Sequence, residues 1–204
     1  MPSQIKDMSV TDLVRLFKEN AVTASDCAHL CIDVQKIYDN LSTATHIADK
    51  INPVFNQLGI CNYLIFQAYE VNENGLPFGS SAFNQVRPFP GDKIVRKTRS
   101  SAVGGSNIDT LLKENNSRLV AITGFAFGQC VKQTAEDIQK GQYGYHTVIF
   151  TDGVNRDPSH YSLQDEMAKK GIVFTSSQNF FEALQKIETC RSKPLLPVQP
   201  DPRI

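Results

Sequence analysis

An excess of charge of either sign is missing from this chain of 204 residues: 21 Lys and Arg stand against 21 Asp and Glu. With neither a basic stripe nor an acidic tail, nothing marks it as a nucleic-acid binder. Long apolar runs are missing too. No stretch approaches the roughly 20 residues of a membrane span, so no membrane association is expected. The opening Met1-Pro2-Ser3-Gln4-Ile5-Lys6-Asp7 holds no charged segment leading into an apolar one, so no secretory signal is expected. The five cysteines, at 27, 31, 61, 130 and 190, never take CxxC spacing. That argues against a disulfide framework or zinc site, and for reduced thiols in a cytoplasmic setting. A glycine-rich phosphate loop is absent, Gly104-Gly105 being too short, which disfavours a flavodoxin-like nucleotide binder. What remains is an ordinary globular composition, long enough for one domain with a full core.

Strand-like and helix-like patterns alternate along the chain. Residues 9–19 read as a leading helix with Ser9 as its N-cap. Residues 27–33 read as the first strand. Residues 42–58 read as a helix that Pro53 kinks or splits and Gly59 ends, and 62–67 as the second strand. Residues 70–92 form a long loop with Phe78, Phe83 and Phe89 on it; these rings either close over a pocket or pin the loop to the core. Residues 92–97, 118–123, 146–151 and 171–175 read as further strands, with Asp152-Gly153 as the turn after the third of these. Residues 106–115, 131–140, 161–170 and 177–189 read as helices. The alternation predicts an α/β fold: three α/β/α layers around a mostly parallel central sheet, in a Rossmann-like layout. Residues 1–25 are expected to be an N-terminal helical extension, 26–190 the domain, and 191–204 an extended Pro-rich arm.

In such sheets ligands gather at the carboxyl ends of the strands. Asp33, Lys97, Cys130 and Asp152 all fall at or just past predicted strand ends. The central stretch is Gly124-Phe125-Ala126-Phe127-Gly128-Gln129-Cys130-Val131, where a strand hands over to a helix. There the first helical N–H groups are unpaired and the dipole favours an anion, a setting that lowers a thiol's pKa. Taken alone, Cys130 reads more simply as a buried core thiol, Asp33 as a helix cap and Lys97 as a solvated charge. Taken together they supply what a nucleophilic cysteine needs. Asp33 takes the thiol proton, Lys97 holds the thiolate, and the N–H groups of Ala126 and Cys130 form an oxyanion hole.

With their neighbours these residues resemble the isochorismatase-like cysteine hydrolases, a superfamily that includes nicotinamidases and N-carbamoylsarcosine amidohydrolases. The motifs are Leu30-Cys31-Ile32-Asp33-Val34-Gln35, then Val95-Arg96-Lys97 with the small-residue turn Ser101-Ala102-Val103. The third is Gly124-Phe125-Ala126 through Cys130-Val131 to Thr134-Ala135 and Gly141. The resemblance spans about residues 28–184 and implies a catalytic triad of Asp33, Lys97 and Cys130. It also implies a cis peptide between Phe125 and Ala126, and a homodimer or homotetramer. Candidate pocket residues are Gln35, Phe83, Phe127 and Gln129. Two departures stand out. Phe127 and Gly128 replace the family's usual Thr-Asp pair, and residues 68–81 contain no histidine where nicotinamidases carry a metal cluster. No metal site and no cofactor are therefore expected. The implied activity is metal-independent hydrolysis of a small amide, carbamoyl or related substrate through a covalent cysteine intermediate. The alternatives are vinyl ether cleavage of the isochorismatase type, or a silent relative that serves as a binding subunit.

Overall fold

A computed structural model describes residues 6–38, 41–141, 144–155 and 158–191. The predicted Pro-rich arm from residue 192 onward lies outside them. Six strands pair in parallel in the order β3-β2-β1-β4-β5-β6. They are β1 (Cys27–Ile32), β2 (Cys61–Gln67), β3 (Lys93–Lys97), β4 (Leu119–Gly124), β5 (His146–Val154) and β6 (Val173–Thr175). Every residue of the central strands β1 and β4 is buried, as expected of parallel strands covered on both faces.

Side chains of successive strand residues alternate between two apolar clusters. Cys27 and Cys31 face one, with Leu64, Phe66 and Phe150. Ala28, Leu30 and Ile32 face the other, with Tyr63, Ile65 and Ile149. Helix α1 (Val10–Glu19), the helical segment 41–57 and α8 (Ser177–Arg191) cover the first cluster. Helices α4 (Ala102–Gly105), α5 (Ile108–Glu114), α6 (Lys132–Lys140) and α7 (Tyr161–Lys169) cover the second. The expected three-layer α/β/α architecture is therefore present. Ser9 caps α1 by accepting from Asp12 N–H, and Leu13 and Phe17 of this helix reach the core, Phe17 against Phe180. Pro53 splits the second helical segment as anticipated: α2 (Leu41–His46), a wide turn Ile47–Ile51, then α3 (Asn52–Gln57) with the proline in its first turn.

The expected turn at Asp152-Gly153 is not there. Strand β5 continues to Val154 through a bulge: Ile122 pairs with Ile149, but Gly124 pairs with Val154. Asp152 does lie past the paired carboxyl ends of β5 and β6, but it is spent on structure. Its carboxylate accepts from Ser177 N–H (2.9 Å) and Ser177 Oγ (2.6 Å), and lies 3.2 Å from His46 Nε2. It satisfies the start of α8, where unpaired N–H groups attract a carboxylate.

His29 is a polar group taken fully into the core. Its ring stacks on Phe55, Nδ1 lies 2.8 Å from Asn62 Oδ1 and Nε2 lies 2.9 Å from Thr123 Oγ1. Burial holds its pKa down at about 3, against the bond to Asn62. The unfolded chain binds a proton near pH 6.5, whereas the folded chain does so only near 3. Stability is thus full above pH 6.5 and falls as pH drops toward 3, by about 1.4 kcal/mol per unit, or about 2 kcal/mol at pH 5. Urea denaturation from pH 7 to 4 checks this, and His29→Gln is expected to flatten the decline.

Candidate active site

The site is built on the carboxyl ends of β1, β2, β3 and β4, which lie side by side. Asp33 follows β1 with a left-handed backbone (φ 51°), and its N–H donates to Ile65 O on β2 (2.8 Å). Lys97 ends β3, with Gln67 opposite on β2. Gly124 ends β4 at φ 117°, where a Cβ would lie 1.9 Å from Ile32 O; only glycine lets the chain pass so close to β1. Phe125 N–H then donates to that same carbonyl (2.8 Å), and the Phe125–Ala126 peptide is cis.

The helix that carries Cys130 begins earlier than the sequence suggests. Residues Phe127–Val131 form a wide helical turn that runs directly into α6. The carbonyl of Ala126 accepts from Gln129 N–H (3.0 Å) and Val131 N–H (3.2 Å) and passes over the Cys130 N–H between them. A hydrogen bond from Ala102 N–H to Thr134 Oγ1 (3.0 Å) ties this helix to the segment after Lys97.

The structure brings the three expected side chains together. Lys97 Nζ lies 2.8 Å from Asp33 Oδ2, with both side chains almost wholly out of water. That contact is ionic, its angles not those of an aligned hydrogen bond. The ammonium donates to Gln67 Oε1 (3.1 Å), Arg99 O (3.1 Å) and Cys130 Sγ (3.5 Å). Asp33 Oδ1 accepts from Gln67 N–H (2.9 Å), and the charge of the carboxylate acts on the Cys130 thiol.

Burial raises the Asp33 pKa, with Lys97 pulling it back down. The Cys130 pKa is raised as well, by burial first and by the Asp33 charge second, with Lys97 opposing. This reverses the expectation of a lowered thiol pKa. Cys130 sits inside the helical stretch, half-buried and beside a carboxylate, and these outweigh the helix end and the ammonium. The sulfur therefore rests as a thiol beside Asp33.

Three of the four candidate pocket residues are structural. Gln35 is fully buried and spent on the backbone: Nε2 donates to Gln67 O (2.9 Å) and Ser81 O (3.0 Å), and Oε1 accepts from Gln67 N–H (2.9 Å). Phe83 packs edge-on against Phe66 in the core and pins the 70–92 loop. Phe127 is fully buried among His160 and Phe174. Gln129 is exposed on the cysteine turn.

Sequence reasoning missed Gln67, which contacts Lys97 through its side chain and Asp33 through its N–H. A polar residue closing the apolar run 63–66 was the available signal. It also missed Tyr38, whose hydroxyl lies 3.1 Å from that of Tyr69 and whose pKa is raised by burial first, then by Tyr69, with the charges of Asp33 and Cys130 adding to the rise. Ile37, Leu76 and Phe78 on the loops after β1 and β2, and Leu41 at the start of α2, are exposed.

The profile of the isochorismatase domain matches residues 67–179, just over half of the chain, taking in Lys97 and Cys130 but beginning after Asp33. An N-carbamoylsarcosine amidase from an Arthrobacter species is 28% identical over 124 residues, covering 58% of this chain and 46% of the relative. A ureidoacrylate amidohydrolase of Pseudomonas savastanoi pv. phaseolicola is 27% identical over 105 residues, covering 52% of this chain and 39% of the relative. The chain thus spans less than half the length of these curated relatives. An isochorismatase-like hydrolase from Alkaliphilus metalliredigens superposes with a TM-score of 0.65 at 18% identity, over 79% of this chain and 97% of that one. The shared fold and the extent of the domain match together place this chain in the isochorismatase domain family.

Proposed function

We propose that the chain is a cysteine hydrolase acting on a small amide, carbamoyl or related substrate, with Cys130 as nucleophile, Asp33 as proton acceptor and Lys97 as fixed cation. The observation that carries this reading is one contact network. Lys97 Nζ touches both Asp33 Oδ2 (2.8 Å) and Cys130 Sγ (3.5 Å), drawing together the carboxyl ends of β3, β1 and β4 across the intervening β2. The amidase names of the partial relatives support the choice of a C–N bond.

The thiol proton passes to Asp33 as Sγ bonds to the carbonyl carbon, and the carbonyl electron pair moves onto oxygen. N–H groups of Ala126 and Cys130 receive that oxyanion. As the tetrahedral species collapses, the C–N bond breaks and Asp33 returns its proton to the departing nitrogen. Water then loses a proton to Asp33 and attacks the thioester. The C–S bond breaks, and the sulfur takes the proton back. No step calls for a metal, because the thiolate and the backbone donors supply nucleophile and electrophile.

Acylation with p-nitrophenyl acetate tests this on a Cys190→Ser background, since Cys190 is an exposed thiol. After an acid quench, the acetyl group is expected on Cys130; acetylation confined to other residues would overturn the reading. A substrate panel of N-carbamoylsarcosine, ureidoacrylate and isochorismate sorts the reaction class. Turnover of the last that survives Cys130→Ala but not Asp33→Ala would assign vinyl ether cleavage instead.

The raised Asp33 pKa sets a pH dependence. As pH falls, the base is protonated sooner than an ordinary aspartate near 3.9. The acid limb of kcat/KM is therefore expected on the alkaline side of pH 4, and a pH–rate profile on any turned-over amide checks it.

A further inference from the structure

We propose that Asn155 is a positioning residue for the cysteine turn, holding its first N–H so that the Ala126 and Cys130 donors stay aimed at the substrate oxyanion. This rests on the reading of Cys130 as the nucleophile. A helical stretch starts with unpaired N–H groups that a side chain at its N-cap usually satisfies. Here the N-cap position is Ala126, which has no polar atom beyond its backbone, and no side chain caps the turn from that position. Phe127 and Gly128 contribute neither hydroxyl nor carboxylate. The missing acceptor comes from just past the end of β5: Asn155 Oδ1 accepts from Phe127 N–H at 2.9 Å.

The route by which Asn155 reaches the turn is specific. From the Ile122–Ile149 pair to the Gly124–Val154 pair, β5 advances further along the chain than β4 does, and Asn155 follows directly after the second pair. The bulge needs Gly153, because a Cβ there would lie 2.6 Å from Thr123 Cγ2 and 3.1 Å from Ile51 Cδ1. The extra residues that displaced the expected turn at 152–153 thus carry an amide to the start of the cysteine helix. Once Phe127 N–H is fixed, the peptides on either side of it are fixed too. Ala126 N–H has no protein acceptor among the described residues, and its carbonyl bonds Gln129 and Val131 while bypassing Cys130. Both donors assigned to the oxyanion therefore flank a single anchored bond.

The test compares two reactions of the same sulfur on the Cys190→Ser background. Acylation by p-nitrophenyl acetate develops an oxyanion; alkylation by iodoacetamide does not. Asn155→Leu removes the acceptor and is expected to slow acylation of Cys130 about 10- to 100-fold, since loss of a whole oxyanion donor costs about 10²–10³. Its alkylation rate at Cys130 should stay within about threefold of the parent. Asn155→Asp keeps an acceptor and should recover acylation to within about threefold. Asn155→Ala, which adds no bulk, repeats the measurement if the leucine variant is unstable. Acylation at the parent rate in the leucine or alanine variant would overturn the inference. An equal slowing of both reactions would also overturn it, because that marks general loosening of the turn. Failure of the parent itself to acylate at Cys130 would instead remove the functional reading, and this inference with it.

Discussion

Cys130→Ala is expected to lower amide hydrolysis by about 10⁴-fold or more, leaving only what binding and the backbone donors supply. The loss should fall on kcat, because the sulfur forms its bond only in the reacting complex. Asp33→Asn is expected to match it closely, and the double variant should be scarcely worse than either alone. The two groups act on one proton, so removing one leaves the other without work. The raised thiol pKa makes this dependence strong: with Cys130 resting as a thiol, the attacking thiolate arises only as Asp33 takes its proton. Steady-state kinetics on the single and double variants check the non-additivity. Independent, multiplying losses would separate the aspartate from the sulfur.

Lys97→Met is expected to lower stability by about 3–5 kcal/mol as well as abolish turnover. The Asp33 and Lys97 side chains are 1% and 0% exposed, so the variant leaves a carboxylate in the core without its counter-ion. The loss should depend on pH. Lys97 is what pulls the raised Asp33 pKa down, so without it the carboxyl takes up a proton at higher pH. The deficit is therefore greatest near neutrality and shrinks on acidification, as the buried group becomes neutral. Urea midpoints at pH 7.5 and 5.5 should show the gap to wild type narrowing. Adding Asp33→Leu should restore much of the stability, with no recovery of activity.

The architecture was legible because parallel strands buried on both faces need apolar runs, and 27–32, 62–67 and 119–123 have them. Pro53, Gly59 and Ser9 announced their local geometry for steric and hydrogen-bonding reasons. The convergence of Asp33, Lys97 and Cys130 was readable from their places at or just past strand ends together with the resemblance of their flanking motifs; strand-end position alone also picked Asp152, which is spent on Ser177. The Asp152-Gly153 turn was misread because a bulge leaves no mark in a pattern of period two; Gly153 is there for a close approach to Thr123, not for a reversal of the chain. Gln35, Phe83 and Phe127 were misplaced because residue type does not tell which side of a loop faces the core. The thiol's pKa was misjudged because burial depends on packing from distant segments. Asn155 was invisible, since its partner is a backbone group 28 positions away.

Lys97 ends its reach with every donor engaged: an amide oxygen, a peptide oxygen and the sulfur take its three protons, while the carboxylate lies alongside. An ammonium so tethered cannot swing to deliver a proton without breaking its own shell. It works as a stationary counter-charge, and the moving proton is left to the sulfur and the carboxylate on either side of it. The flat fork of arginine, which presents its donors in a plane, would not reproduce this roughly tetrahedral set.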